Sequence, residues 1–317
     1  MTTYYIGVDG GGTRCRMRLT DENMETIAED VIDSPSNLQV RNGSAAYGSI
    51  LELTDSVFAK AGLGDDAKSS AHACFGMAGA RLKSARQSFA ERKFPFASVE
   101  VYDDIDIAQA GAHEGGDGAV LIIGTGSAGM GLIEGKRHQI GGWGFLVGDT
   151  MSGGILGREL VRLSLLAHEG LEEATDLTRA IMARFDNDGD RLMAWSFNNP
   201  DARAEMEELH QLGYSPEPSG PVPARPADYG QFAPMVFEFA DKGDPVAKRL
   251  MQFEHAAIDQ YVNWFKSRGA KSIAIVGGLG QRLLPELIER HGPIMCMPKK
   301  DSMHGALILA RRQIQSA

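Results

Sequence analysis

The sequence has few cysteines, and their spacing indicates neither a metal site nor a disulfide framework. Only three occur in 317 residues, Cys15, Cys74 and Cys296, with no CxxC pair and no histidine at zinc-ligand spacing. We therefore expect reduced thiols in an intracellular protein. Long apolar runs are also lacking, because glycines and hydroxyl residues interrupt the most apolar stretch, residues 119–133, which is too broken for a membrane span of ~20 residues.

The N-terminus lacks the basic region and apolar core of a signal peptide. Positive charge is also scarce, since 32 Lys and Arg face 42 Asp and Glu, a formal net charge of -10. Phosphate backbones favour a basic surface, so a nucleic-acid partner is not expected. The sequence predicts a cytoplasmic protein with neither a membrane nor a nucleic-acid partner.

Hydrophobic patterning predicts an α/β protein with two domains. Two short apolar runs, 4–9 and 14–19, are separated by four residues and predict a hairpin, after which helical and strand patterns alternate. The pattern restarts after a glycine-rich hinge at 114–118, which predicts domains at 1–114 and 115–301, with a closing helix at 302–317 that packs back on the first.

Regular patterning fails over 186–227 apart from a short helix near 202–212. Five prolines between 216 and 226 indicate an insertion around 198–227, interpreted as a surface excursion or a substrate lid.

Glycine is the residue in excess, with 38 where about 22 are expected from an ordinary share of roughly 7%. Three glycine turns each follow a predicted strand. They are Asp9-Gly10-Gly11-Gly12-Thr13, Gly124-Thr125-Gly126-Ser127, and Gly277-Gly278 after Val276. Glycine lets backbone N–H groups approach an anion closely, and hydroxyls accompany two of the turns. Together the turns predict a phosphate-binding protein.

Two common nucleotide-binding motifs do not account for these turns. Gly124-x-Gly126-x-x-Gly129 matches the dinucleotide fingerprint formally, but a strand rather than a helix follows Gly129. No Gly-x-x-x-x-Gly-Lys-Ser/Thr occurs, which excludes a P-loop. What remains is a nucleotide held by two hairpin loops, one from each domain.

This arrangement resembles the sugar kinase/actin/Hsp70 superfamily along nearly the whole chain. Within it the chain is similar to the family of BadF/BadG-type ATPases and N-acetylglucosamine kinases. The narrower resemblance rests on Gly76-Met-Ala-Gly79, on Asp103-Asp104 before a helix with Ala108, and on Gly141-Gly142-Trp143-Gly144 followed by Gly148-Asp149. It implies two ribonuclease-H-like (actin-like ATPase) domains with a nucleotide and sugar cleft between them. It further implies an ATP-dependent kinase that phosphorylates a hydroxyl, expected to be the 6-OH, of N-acetylglucosamine or glucosamine.

The chemistry of phosphoryl transfer and the resemblance assign roles to individual residues. Asp9, at the end of the first strand, is placed to hold Mg²⁺ through water. The family pattern puts the catalytic base four residues before a helical alanine, which fits Asp104 and Ala108, although Asp103 is adjacent. The alternative makes Asp104 only a helix N-cap, with Asp103 or Asp106 idle beside it.

The resemblance also implies the sugar contacts. Asn37 resembles the family asparagine that bonds a sugar hydroxyl, and Asp104 touches the acceptor hydroxyl. Trp143 offers an apolar face to a pyranose ring, and the Asp149 carboxylate can accept from a hydroxyl. Thr150 departs from many relatives, which have an acidic or amide residue there, and this leaves N-acetylglucosamine, glucosamine and other hexoses open. A homodimer is one assembly compatible with the sequence.

Other functions of the same fold stay open at this stage. A BadF/BadG-type ATPase that activates a partner enzyme needs cysteines to ligate an iron–sulfur cluster, and the three here are interpreted as small core residues. A non-catalytic sugar or nucleotide sensor and an actin-like filament or chaperone are further alternatives. Sugar-dependent production of ADP separates a kinase from all of them.

Overall fold

The structure is a computed structural model that describes residues 2–12, 14–34, 36–211 and 217–315. Its packing contacts divide the chain into two units. Unit one comprises residues 1–120, 130–138 and 296–317, and unit two comprises residues 121–129 and 139–295. The two units interleave along the chain, and the division into domains at residue 114 stays a prediction.

The first sheet contains five strands in the order β3-β2-β1-β4-β5. The strands and helices of this region are β1 (Tyr4–Gly10), β2 (Cys15–Thr20), β3 (Thr26–Ile32), α1 (Ser44–Lys60), α2 (Asp65–Lys68), β4 (Ala71–Met77), α3 (Lys83–Ala90), β5 (Ser98–Asp103) and α4 (Asp104–Ala112). Strands β1, β2 and β3 pair antiparallel, whereas β1, β4 and β5 run parallel. The predicted hairpin forms because Cys15, Met17 and Leu19 are fully buried on one face.

The second sheet repeats this order, with its strands arranged β10-β9-β6-β7-β8. Its strands are β6 (Gly118–Ile123), β7 (Ser127–Ile133), β8 (Lys136–Gly141), β9 (Ile273–Val276) and β10 (Met295–Cys296). In both sheets the first strand in sequence is central, flanked on one side by the second and third strands and on the other by the fourth and fifth. This shared connectivity confirms the predicted α/β fold of two ribonuclease-H-like sheets.

The remaining helices follow the second set of three strands. They are α5 (Gly153–His168), α6 (Asp176–Ala183), α7 (Gly189–Phe197), α8 (Pro200–Gln211), α9 (Pro226–Gly230), α10 (Ala233–Asp241), α11 (Pro245–Lys266), α12 (Gly278–His291) and α13 (Ser302–Gln315). Helix α13 packs against α4, β1 and β4 through buried Ala306, Leu307 and Ala310. No helix in the described part of the chain is long and apolar enough to cross a bilayer.

The expectation of irregular structure over 186–227 was wrong for the first part of that segment. Helix α7 forms there because Asp188 caps it, with its carboxylate accepting from the N–H groups of Asp190 (2.8 Å) and Arg191 (3.4 Å). The Trp195 ring on α7 packs edge-to-face on Phe185 and Phe232. Single aromatic anchors of this kind give no helical period, which is why the pattern did not reveal them. Residues 217–225 are irregular, and a lid role for the 198–227 insertion stays a prediction.

One buried polar side chain stands out in helix α11. Glu254 is fully buried, and neither carboxylate oxygen has a hydrogen-bond partner among the described residues. Loss of hydration raises the pKa of its carboxyl to about 8. Glu254 is therefore protonated in the folded protein at neutral pH.

Candidate active site

The first glycine turn is fixed by backbone hydrogen bonds to two neighbouring segments of unit one. The N–H of Ala78 donates to the carbonyl of Gly10 (2.7 Å), and the N–H of Ser36 donates to that of Gly11 (2.9 Å). Gly11 in turn donates to the carbonyl of Arg14 (2.8 Å). These bonds join the end of β1 to the segments after β3 and β4, which carry the predicted Asn37 and Gly-Met-Ala-Gly motifs. Predicted Thr13 lies outside the described residues.

Asn37 lies directly against Gly79, the last glycine of that motif. The Asn37 amide oxygen accepts from the N–H of Gln39 (2.8 Å), and the Gln39 side chain donates to the carbonyl of Gly79 (2.8 Å). Gly79 has a φ of 78°, and a Cβ atom there would collide with the Asn37 amide oxygen. The motif therefore gives Asn37 its position, which explains why the two features occur in one sequence.

Asp9 forms an ion pair that the sequence interpretation missed. In the antiparallel register Asp9 lies directly opposite Arg16, whose guanidinium donates to the Asp9 carboxylate. Cross-strand neighbours project from the same face of a sheet, so counting back from the hairpin turn would have paired them. The Asp9 side chain is 16% exposed and that of Arg16 is 42% exposed, so the pair lies at the surface end of the strand.

The helix after β5 is capped by Asp103, not by Asp104. Asp103 is the N-cap residue of α4 and forms a capping box with Asp106, whose carboxylate accepts from the Asp103 N–H (3.3 Å). Asp106 also accepts two hydrogen bonds from Arg137, at 2.6 and 3.1 Å. The alternative in which Asp104 is only the cap, with Asp103 or Asp106 idle, is therefore wrong.

Asp104 is partly buried and carries a perturbed carboxyl group. Loss of hydration raises its pKa well above the usual range, and the adjacent Asp103 carboxylate, which also hydrogen bonds to it, raises it further. The charge of Asp9 acts in the same direction, whereas the N–H of Ile105 opposes it. A carboxyl whose pKa is moved toward neutrality by burial and like charge is typical of a general base.

These carboxylates are compatible with Mg²⁺. The negative charges of Asp103 and Asp9 both act on Asp104, and a hard cation bound beside these carboxylates would offset that repulsion. Mg²⁺ is commonly bound by one or two carboxylates together with substrate phosphates and water. No cluster of three or more His, Cys, Asp or Glu side chains that could enclose a metal occurs among the described residues. The donor set thus fits a cation that is shared with a phosphate ligand.

In unit two the first three carbonyls of the second glycine turn, those of Gly124, Thr125 and Gly126, all accept hydrogen bonds. The carbonyls of Gly124 and Thr125 accept from the first two N–H groups of α5, those of Gly153 (2.8 Å) and Gly154 (3.2 Å). The Gly126 carbonyl accepts from the N–H of Gly124 (3.0 Å). The negative ends of these peptide dipoles are satisfied within the protein, which removes a source of repulsion toward a phosphate.

Predicted Ser127 and Asp149 hold this turn to the Gly-Gly-Trp-Gly loop. The Ser127 hydroxyl accepts from the N–H of Met151 (3.3 Å), and Ser127 is buried. The Asp149 carboxylate is buried and accepts from the N–H groups of Ser127 and Gly144. Loss of hydration raises the pKa of Asp149, and those two hydrogen bonds oppose the shift. Both residues therefore have a local structural role. Their roles in binding phosphate and sugar stay predictions.

The loop around Trp143 presents apolar side chains to solvent. Trp143 is 66% exposed, and Leu146 and Val147 are 87% and 83% exposed. Positive φ angles at Gly141, Gly142 and Gly144 produce the turn that displays the indole. The hydroxyl of Thr150, the departure from the family pattern, lies 3.5 Å from that of Tyr261.

The third glycine turn meets the second at a cavity of about 310 Å³ within unit two. A Cβ atom on Gly277 would collide with the Ile123 carbonyl, at the point where β6 and β9 are neighbours. The cavity is lined by Gly124, Thr125, Gly153, Gly230, Ala233, Pro234, Phe237, Gly278, Leu279 and Arg282. The sequence interpretation found the glycine turns but not Phe237 or Arg282, which lie on helices and belong to no motif.

Three of the lining glycines are not required by packing. Among the described residues, a Cβ on Gly278 would meet no atom within 4 Å, and one on Gly153 or Gly230 would make only ordinary contacts of 3.4 Å or more. None of the three has a positive φ in the range that excludes other residues. Their small size keeps the cavity open, and a ligand is the natural occupant of that space.

The sequence profile of the BadF/BadG/BcrA/BcrD ATPase family matches residues 6–310. The chain belongs to this family. It is 32% identical to glucosamine kinase GspK of Vibrio cholerae over 307 residues, covering 97% of this chain and 95% of that protein. It is 25% identical to the N-acetyl-D-glucosamine kinase of Dictyostelium discoideum over 271 residues, covering 82% and 78% of the two chains.

Solved structures agree with the fold. A protein of Chromobacterium violaceum, provisionally named an N-acetylglucosamine kinase, superimposes with a TM-score of 0.79 at 28% identity, covering 97% of this chain and 99% of that one. A ROK hexokinase of Thermus thermophilus shares the fold alone, with a TM-score of 0.51 at 15% identity and coverage of 99% of each chain. The predicted family, fold and enzyme class, a phosphotransferase with an alcohol acceptor, are confirmed.

Proposed function

We propose that this member of the BadF/BadG/BcrA/BcrD family is an ATP-dependent kinase of glucosamine or N-acetylglucosamine that phosphorylates the 6-OH. The observation that carries the proposal is Asp104. Asp104 does not cap the helix, because Asp103 does. Burial and the negative charges of Asp103 and Asp9 raise the pKa of the Asp104 carboxyl. Such a carboxylate is suited to accept the proton of an alcohol during phosphoryl transfer.

In this mechanism Asp104 orients the sugar hydroxyl and accepts its proton as the oxygen attacks the γ-phosphorus. The new O–P bond forms while the bond from the γ-phosphorus to the bridging oxygen breaks, and ADP leaves. The proton on Asp104 then passes to solvent. Asp9, held by Arg16, would bind Mg²⁺ through water, and the ion when bound neutralises phosphate charge.

The glycine turns bind the nucleotide. Gly10, Gly11, Gly12 and Thr13 contact phosphate oxygens, and so do Gly124, Thr125, Gly126 and Ser127, while Gly277 and Gly278 contact the adenosine. The support for this assignment is that these turns end strands and that backbone atoms hold the described ones in place. The cavity bounded by Gly124 and Gly278 joins two of the three turns.

The sugar is bound by Asn37, Trp143 and Asp149 in addition to Asp104. Support comes from the fixed position of Asn37 against Gly79 and from the exposed indole of Trp143, a flat apolar surface suited to a pyranose ring. An amino sugar is favoured because the relative matched over 97% of this chain is a glucosamine kinase. The ring position and the choice between the free and acetylated amine belong to the proposal, as does a homodimer.

The test is a screen of ADP release with ATP and Mg²⁺ over glucosamine, N-acetylglucosamine, glucose and mannose, with the product position read from phosphorus–proton coupling by NMR. Asp104→Asn should lower kcat by ~10²–10⁴-fold with sugar binding retained in calorimetry. Asp103→Asn is the matched control, because asparagine caps a helix as well as aspartate does.

Two outcomes would contradict the proposal. ADP release that ignores every sugar would favour an ATPase that activates a partner enzyme. The thiols give that function no support, since Cys15 and Cys74 are buried and burial raises their pKa. Full activity in Asp104→Asn with loss in Asp103→Asn would reverse the assignment of the pair.

A further inference from the structure

The 310 Å³ cavity of unit two has an unusual wall. The guanidinium of Arg282 lies over the ring of Phe237, with its central carbon 4.4 Å from the ring centroid. Phe237 is buried, whereas Arg282 is exposed, so the cation lies on the outer side of a buried ring. A guanidinium is planar, and the attraction to an aromatic ring restrains it at the wall of the cavity.

Helix geometry explains why Arg282 reaches the glycine turns. It lies four residues after Gly278, the first residue of α12, and long helical side chains point back toward the N-terminus of their helix. The guanidinium therefore lies over the first turn of the helix, beside the Gly277-Gly278 motif. Among the described residues Arg282 forms no ion pair with a carboxylate, and it contacts the ring of Phe237.

The rest of the lining is mostly apolar. Ala233, Pro234 and Leu279 line it together with the glycines, and Thr125 is the remaining lining residue with a polar side chain. A slot with apolar walls, one planar cation and phosphate-binding turns at its border matches the parts of a nucleotide. The flat part of that ligand is the base.

We propose that Arg282, which lies over the ring of Phe237, is the residue that stacks on the base of the nucleotide. This inference rests on the proposed function and adds the part of ATP that unit two recognises. Stacking uses the π-face that every base has, so Arg282 contributes affinity for a base rather than for the phosphates.

The experiment compares two probes, Mg²⁺–ATP and Mg²⁺–tripolyphosphate, which share phosphates but not the base. Binding of both is measured by calorimetry on the full chain in the absence of sugar. Arg282→Ala should weaken ATP about tenfold, the size typical of one stacked base, and leave tripolyphosphate within twofold. Arg282→Lys should resemble Arg282→Ala, since lysine keeps the charge but not the plane.

A matched control exists in the same unit. Arg268 is also exposed and lies over an aromatic ring, that of Trp264, at 3.5 Å from the centroid, but it does not line the cavity. Arg268→Ala should leave the affinity for ATP unchanged. Gly278→Val gives an independent test, because its side chain would enter open space in the slot and should weaken ATP without changing Tm.

Unchanged ATP affinity in Arg282→Ala would overturn the inference and leave the kinase proposal intact. An equal loss for tripolyphosphate would overturn it too, since Arg282 would then be a phosphate contact, as would full rescue by Arg282→Lys. A wild-type chain that bound no ATP would remove the proposed function and this inference together.

Discussion

Glu254→Gln should change the pH dependence of stability by an amount that follows from the burial of this side chain. The pKa of the Glu254 carboxyl is raised from 4.5 to about 8 in the folded protein. Between these values the folded state holds a proton that the unfolded state has lost, so the free energy of unfolding falls as pH rises. The slope is about 1.4 kcal/mol per pH unit, or about 3 kcal/mol between pH 5 and pH 7.5. Glutamine does not titrate, so in the Glu254→Gln variant this decrease in the free energy of unfolding is absent.

The assay is urea unfolding of both proteins at several pH values, followed by tryptophan fluorescence. The three tryptophans, Trp143, Trp195 and Trp264, all belong to unit two, which also contains Glu254, so the signal reports the relevant unit. Other ionisable groups contribute equally to both proteins and cancel in the difference. The advantage of Glu254→Gln over the wild type should therefore grow from pH 5 to pH 7.5.

A difference that stayed constant within about 1 kcal/mol across this range would refute the reasoning, because a group with an ordinary pKa contributes almost no slope there. Glu289→Gln is the control, since Glu289 is exposed on helix α12. That variant should follow the wild type at every pH.

Three further predictions concern the candidate site. Asp103→Asn should shift the acidic limb of the kcat/KM profile to lower pH, because removal of a like charge lowers the pKa of Asp104. Gly79→Ala should raise the KM for sugar about tenfold in steady-state assays by displacing Asn37. An unchanged KM would show that Gly79 does not position Asn37 for the sugar. Gly12→Ala should raise the KM for ATP at unchanged Tm, because in the described part of the chain no atom of a residue beyond its neighbours lies within 4 Å of the added Cβ; a normal KM would argue against phosphate contact there.

The strands and glycine turns could be predicted because their signals are local. Alternation at Cys15, Met17 and Leu19 defined a hairpin, and glycines after apolar runs marked the strand ends. Asp103 and Asp104 were identified as a pair, but which of them caps the helix depends on the exact start of α4, a boundary that sequence defines poorly.

The residues that were missed act through contacts that have no sequence period. The pair of Asp9 and Arg16 depends on the register of the hairpin. The contact of Arg282 with Phe237 joins two residues that are 45 positions apart in the sequence and that only the fold brings together. Helix α7 depends on one cap and on Trp195 contacts. Such features arise from packing and become visible only with the structure.

The bonds between the second glycine turn and helix α5 determine which substitutions the turn tolerates. They join backbone atoms, the carbonyls of Gly124 and Thr125 with the N–H groups of Gly153 and Gly154, so exchanging side chains leaves them in place. Gly154 cannot be replaced without a shift of the backbone, because a Cβ atom there would lie 2.8 Å from the Thr125 carbonyl oxygen. The side chains around this turn can therefore be exchanged without loss of these bonds, and the turn itself keeps its shape.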